Sequence, residues 1–153
     1  MNSTRKTAAL GPRFRVAGML RRMDEALPDR RDPRHELGAL GEAAAAAHLS
    51  ELGYRVLERN LRVGDDEADI VAVTPTGAVA VIEVKSRRGR WHPEDRVDRV
   101  KRGNLVRLAA TLAERPELRE RLFQFDVVAV SVLDSGTEVV HWPHAFDASG
   151  TPW

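Results

Sequence analysis

Two runs that are apolar on both faces, Asp69-Ile-Val-Ala-Val-Thr74 and Ala78-Val-Ala-Val-Ile-Glu-Val-Lys85, constrain this chain more than anything else in it. Side chains along a strand alternate between faces with period 2, so a strand with one wetted face shows alternating polarity. Ile70, Val71, Ala72 and Val73 are all apolar instead, the pattern of a central strand covered by helices on both sides. The rest of the chain supplies those helices. Leu37, Leu40, Ala44 and His48 recur at helical spacing in an Ala-rich run that starts at Arg34, and Gly53 is a natural stop for it. Asp95 to about Glu114 reads as a second helix, with Val97, Val100, Leu105, Leu108 and Leu112 on its apolar side. Tyr54–Asn60 and Phe125–Ser131 read as further strands, and Glu138–Trp142 as a short last one. The predicted order is α-β-β-β-α-β-β, a layered α/β domain.

With 153 residues, the chain has the usual size of one such domain. Residues 34–153 are expected to form it. Residues 1–33 are Arg-rich, carry Gly11-Pro12, Pro28 and Pro33, and show no sustained apolar period, so a basic, disordered arm is expected there. The arm lacks the apolar core of a secretory signal, and no window approaches the roughly 20 apolar residues that span a bilayer. A cytoplasmic location is the simple expectation. There is no cysteine, which excludes disulfides, zinc–thiolate sites and thiol catalysis.

The formal net charge of +1 hides an uneven distribution. Arg87, Arg88, Lys101, Arg102 and Arg107 belong to a basic strip over residues 85–107, whereas acids gather in Asp65-Asp66-Glu67-Ala68-Asp69. A basic strip beside an acidic knot points to polyanion binding next to a cation site, with a solvated helix face as the plain alternative. In the first case these five residues are candidates for phosphate contacts, which position DNA without reading its sequence.

The link between the two central strands sets the register of the knot. If Pro75-Thr76-Gly77 is a three-residue hairpin loop, with Pro opening a type I turn and Gly in the left-handed position, Thr74 faces Ala78. Asp69 then lies opposite Glu83, and Lys85 follows on the Glu83 face. Carboxylates with Cβ atoms about 5 Å apart repel one another unless a cation sits between them. Hard oxygen ligands of this kind suit Mg²⁺ or Mn²⁺, and Lys85 would add positive charge where a phosphate transition state needs it. The alternative is that Asp69 caps its strand while Glu83 and Lys85 are exposed edge charges.

An Asp on one strand and Glu-x-Lys on the next resembles the PD-(D/E)xK nuclease superfamily. The chain is most similar to its YraN-like family of predicted endonucleases, relatives of archaeal Holliday junction resolvases. The matching stretches are Gly38-Ala-Leu-Gly-Glu42, Gly53-Tyr-Arg-Val-Leu-Glu-Arg-Asn60, Glu67-Ala-Asp69-Ile-Val, Ile82-Glu83-Val-Lys85-Ser-Arg87 and Phe125-Asp126-Val-Val. The resemblance implies a restriction-endonuclease-like three-layer core with a central mixed sheet. It makes Asp69 and Glu83 metal ligands, Lys85 the catalytic lysine and Glu42 an additional acid at the metal. From the residues alone, Glu42 is an acid amid Leu and Ala, for which exposure is the simple alternative. Glu67 shares the Asp69 face and matches a family acid, or else forms a salt bridge to Lys85. The family's usual Gly-Glu-Ile-Asp reads Asp-Glu-Ala-Asp here, with Gly64 displaced. Asp126 either supports the site or caps a strand end, and Trp91 either stacks on a base or packs a loop. The five His residues show no metal-ligand pairing.

The expected function is therefore Mg²⁺- or Mn²⁺-dependent hydrolysis of DNA phosphodiesters, with branched or recombination DNA as a candidate substrate and a homodimer as a candidate assembly. The alternatives are a non-catalytic nucleic-acid-binding module on the same scaffold, and a protein-interaction scaffold unrelated to nucleic acid.

Overall fold

A computed structural model describes residues 13–16, 32–92 and 97–152, and of residues 13–16 the backbone alone. The elements are β1 (Arg13–Val16), α1 (Pro33–Glu51), β2 (Arg55–Val63), β3 (Asp66–Val73), β4 (Val79–Arg88), α2 (Arg99–Leu112), β5 (Phe123–Leu133) and β6 (Gly136–Phe146). From α1 onward this is the predicted α-β-β-β-α-β-β. The strands form a single mixed sheet in the order β1-β6-β5-β4-β3-β2. β4 and β5 run parallel, joined by the α2 crossover, and the remaining neighbours are antiparallel.

The three layers follow from the doubly apolar strands. Ile70, Ala72, Ala80 and Ile82 bury one face with Ala45 and Leu49 of α1. Val71, Val79 and Val81 bury the other with Leu105, Leu108 and Leu112 of α2. The hairpin has the anticipated register: Val73 pairs with Val79, Ala72 with Ala80, Val71 with Val81 and Ile70 with Ile82. Gly77 sits at φ +91° and donates its N–H to the Thr74 carbonyl, as the loop chemistry requires. The ladder of paired residues runs no further than Ile70–Ile82.

Each helix is fixed by its caps. The Asp32 side chain accepts the Arg34 N–H and Pro33 fills the first helical position. At the far end Gly53 (φ +84°) and Tyr54 return N–H groups to the Ser50 and Leu49 carbonyls, a Schellman stop.

The structure corrects several expected details. α2 begins at Arg99, not Asp95, because the Asp98 side chain caps the Lys101 N–H and Val97 and Asp98 lie outside the helix; residues 93–96 lie outside those described. Val100, expected on the apolar side, is 73% exposed. Counting back four residues from Leu105 places Lys101, not Val100, on the inward stripe. β6 is a full strand rather than a short terminal one, and it lies inside the sheet between β5 and β1. The arm expected over residues 1–33 falls largely outside the described residues. Within it, Arg13–Val16 pairs with β6, using an edge whose backbone groups would otherwise lack partners.

Candidate active site

Beyond the last hairpin pair the β3–β4 ladder gives way to a side-chain contact: Asp69 Oδ2 accepts the Val84 N–H at 2.7 Å. The expected alternative for Asp69, a strand cap, is thus part of its role, and it engages only one of the two carboxylate oxygens. Glu83, one residue before Val84, is 5% exposed. Its Oε1 lies 3.2 Å from Lys85 Nζ, so the two side chains share a face as the period of two requires. Its Oε2 lies 3.1 Å from Lys101 Nζ, which reaches it from α2. Oε2 is fully buried and makes no aligned hydrogen bond even so.

Glu83 prefers its neutral form more than an ordinary glutamate does. Burial is the main cause and the negative charge of Asp69 the second, only partly opposed by Lys101 and Lys85. A buried carboxylate beside another carboxylate is a place where added positive charge is welcome.

Asp69, Glu83, Lys85 and Ser86 line a cleft of about 370 Å³ whose opposite wall, from α1, includes Arg34 and Glu42. A close approach of helix to strand makes this possible. At Gly41 a Cβ would stand 1.6 Å from Ser86 Oγ and 2.6 Å from Ser86 Cβ, so only glycine lets α1 lie this near β4. Glu42, the next residue, is carried to the cleft wall, where Arg59 approaches it at 3.9 Å.

The other candidates go elsewhere. Glu67 pairs with Arg62 at 3.3 Å instead of Lys85, since β3 and β4 no longer pair at that level. Arg102 donates to the Val97 and Gly150 carbonyls at 2.6 and 2.7 Å, tying the C-terminal turn to α2. Arg107 forms a two-pronged pair with Asp66 at 2.8 and 3.2 Å. Arg88 is exposed at the end of β4 and Arg87 half-buried before it. Trp91 packs against Trp142 with ring centroids 4.6 Å apart.

Asp126 does not join the cleft. Fully buried, it is the hub of a separate network on the sheet: Oδ2 accepts from Tyr54 Oη at 3.1 Å and contacts His141 Nε2 at 2.9 Å. Its Oδ1 accepts from Gln124 Nε2 at 2.8 Å and the His144 N–H at 3.1 Å. Burial, followed by the Asp126 charge, pushes the Tyr54 hydroxyl well above its usual range.

Sequence reasoning missed Lys101 as a neighbour of Glu83 and Arg34 as a wall of the cleft. The signal for Lys101 was present, a lysine in an inward slot four residues before Leu105. For Arg34 there was none, because its position depends on how α1 lies across β4.

Cation chemistry can be tested against these donors. Among the described residues no group of three or more His, Asp or Glu side chains is gathered to hold a metal ion. Mg²⁺, however, retains several waters and is commonly held by one or two carboxylates together with substrate phosphate. Asp69 and Glu83 in one open cleft fit that mode, and they do not fit a closed all-protein cage.

Known proteins resemble this chain along most of its length. A protein of Anaeromyxobacter dehalogenans is 41% identical over 124 residues, covering 79% of this chain and 91% of its own. One of Trichlorobacter lovleyi is 40% identical over 115 residues, covering 72% and 90%. Both are described only as UPF0102 proteins. Among solved structures, a repair endonuclease from Pyrococcus abyssi matches with a TM-score of 0.42 and 20% identity, over 72% of this chain and 42% of that longer one. At that distance the likeness carries no argument about activity. Residues 41–130, from the glycine that seats α1 to the middle of β5, match the model of one family. By this match and by its relatives, the chain belongs to the uncharacterised protein family UPF0102, the YraN-like family that its motifs resemble.

Proposed function

We propose that the protein is a divalent-cation-dependent endonuclease that hydrolyses DNA phosphodiesters. The observation that carries this reading is the buried Glu83 carboxylate, which shares a cleft with Asp69 and is in contact with Lys85. Asp69 and Glu83 would hold Mg²⁺ or Mn²⁺, with Glu42 on the facing wall as a further oxygen donor. The chemistry such a cation supplies is polarisation of the phosphodiester and activation of water for in-line attack. Asp69 is oriented by the Val84 N–H, so its carboxylate is fixed before substrate arrives. Lys85 is more exposed than Glu83 and projects along the cleft, where its ammonium can meet charge developing on the phosphate. Arg34 at the cleft wall and Arg88 at the end of β4 are the groups best placed to meet flanking phosphates. Arg102 and Arg107 are already committed to Gly150, Val97 and Asp66. Preference for branched DNA and assembly as a homodimer belong to the same proposal, to be read from substrate comparison and light scattering.

The test is cleavage of junction, flap and linear DNA by wild type, Glu83→Ala and Lys85→Ala, with Mg²⁺ or Mn²⁺. Each substitution should slow cleavage by about 10²–10⁴-fold. Equal cleavage by all three proteins would trace the activity to a contaminant and sink the assignment.

A second reading has its own support. Both oxygens of Glu83 already lie beside lysine ammonium groups, so the carboxylate is partly compensated without a metal. That suits a non-catalytic nucleic-acid-binding module. It predicts DNA binding with a steep salt slope and no cation-dependent hydrolysis in the same panel.

A further inference from the structure

Lys101 comes from α2, the helix across the sheet from α1, and does not line the cleft, yet it ends on a fully buried oxygen of the candidate site. It occupies an inward slot of α2, four residues before the fully buried Leu105, where the regular apolar stripe has room for an aliphatic residue. Asp98 caps its N–H at 2.8 Å, which fixes the first turn of the helix from which the side chain departs. Its Nζ is held twice: 2.9 Å from the Glu67 carbonyl on β3 and 3.1 Å from Glu83 Oε2 on β4. Its side chain is 24% exposed, against 37% for Lys85, whose Nζ meets Glu83 Oε1. The two lysines on Glu83 are therefore unequal. The described contacts hold Lys85 at the carboxylate only; Lys101 bridges two strands from a capped helix turn.

We infer that Lys101 is the positioning residue for Glu83, holding Oε2 from the α2 side so that Oε1 is the oxygen presented to a divalent cation in the cleft. The inference rests on the proposed cation site and adds to it the group that aims its ligand. Oε2 is buried, so without Lys101 it would be a carboxylate oxygen out of water with no partner of its own, Lys85 lying at Oε1. Such a carboxylate turns from its place rather than remaining aimed. Groups that orient a metal's ligands typically carry 10–100-fold of its affinity, although they never touch the metal. With a cation held by Glu83, Lys85 would be the lysine able to turn toward a phosphate, because Lys101 keeps its second bond to Glu67.

The experiment is titration of the folded, full-length chain with Mn²⁺ alone, read by calorimetry and by the Mn²⁺ electron paramagnetic resonance signal. Proteins compared are wild type, Lys101→Met, Lys101→Gln and Glu83→Gln, each checked for a native circular dichroism spectrum. Lys101→Met keeps the aliphatic stem and loses the charge. Lys101→Gln keeps a donor for the Glu67 carbonyl and serves if the methionine variant does not fold. Both should bind Mn²⁺ about 10–100-fold more weakly than wild type, and Glu83→Gln should not bind measurably. Wild-type affinity in the folded Lys101 variants, or tighter binding, would overturn the inference while leaving the cation site intact, the tighter case marking Lys101 as a competitor of the metal. Absence of binding by wild type, or undiminished binding by Glu83→Gln, would remove the cation site itself and the inference with it.

Discussion

Glu83 and Asp126 are both buried acids on neighbouring central strands, and the contrast between them explains what each is for. Asp126 has both oxygens engaged within the protein, by Tyr54, Gln124, His141 and His144. Glu83 has two ammonium neighbours, no aligned bond to Oε2, and a repelling carboxylate nearby. The first is a closed network, the second an open one. Closed buried networks act on stability, since removal of the hub strands every donor around it. Asp126→Ala should therefore destabilise the fold by about 3–5 kcal/mol, measured by urea unfolding, with the cleft residues left in place. A cost below about 1 kcal/mol would show that water replaces the carboxylate readily and that the hub is not structural.

At the level of elements, the tightest approach at any described glycine is that of α1 to β4 at Gly41. Four residues after Gly41, Ala45 is fully buried against the sheet, so a small-residue face lets the helix lie close and carries Glu42 to the cleft. Gly41→Ala should push α1 away from Ser86, since the added Cβ meets Cβ as well as Oγ and rotation of the hydroxyl alone gives no relief. Overpacking of this kind costs about 1–3 kcal/mol. The partner change Ser86→Gly removes the clash from the other side. The double variant should be more stable than the sum of the single losses predicts, a coupling that denaturation of all four proteins would reveal. Strict additivity would mean that α1 is not seated through this contact.

On the scale of the whole molecule, folding is coupled to pH through the α1 side of the sheet. His48 is 2% exposed, and its ring lies edge-on to that of His141 with centroids 6.1 Å apart. Burial chiefly, and then the His141 charge, lower its pKa below the usual 6.5, with Glu51 opposing. The unfolded chain thus takes up a proton more readily than the native one. The His48 contribution is complete above pH 6.5 and is lost as pH falls through the window below it. The melting temperature should drop between about pH 7 and pH 5.5 more steeply in wild type than in His48→Gln. Equal slopes in the two proteins would assign the acid sensitivity to other groups. No helix among the described residues is long and apolar enough to cross a membrane.

The sequence by itself determined whatever depends on neighbours along the chain. Strand period and the Pro75-Thr76-Gly77 loop were enough to set the β3–β4 register as far as Ile70–Ile82 and to put Glu83 and Lys85 on one face; the expected Asp69–Glu83 pair lies beyond the ladder, where Asp69 accepts the Val84 N–H instead. Both central strands were legible as doubly covered because period-2 alternation was absent. Tertiary structure decided what depends on how one element lies across another. It tied Arg102 to Gly150 and the exposed Arg107 to Asp66, brought Lys101 to Glu83, and carried Glu42 and Arg34 to the far wall of the cleft. It also exposed Val100, although apolar residues are usually placed inward, and slid β6 into the interior of the sheet. A helix's rotation and offset on a sheet are summed over many weak apolar contacts between residues far apart in sequence. Local spacing names the face that is buried; only the packed whole decides which charged side chain at its margin reaches which partner.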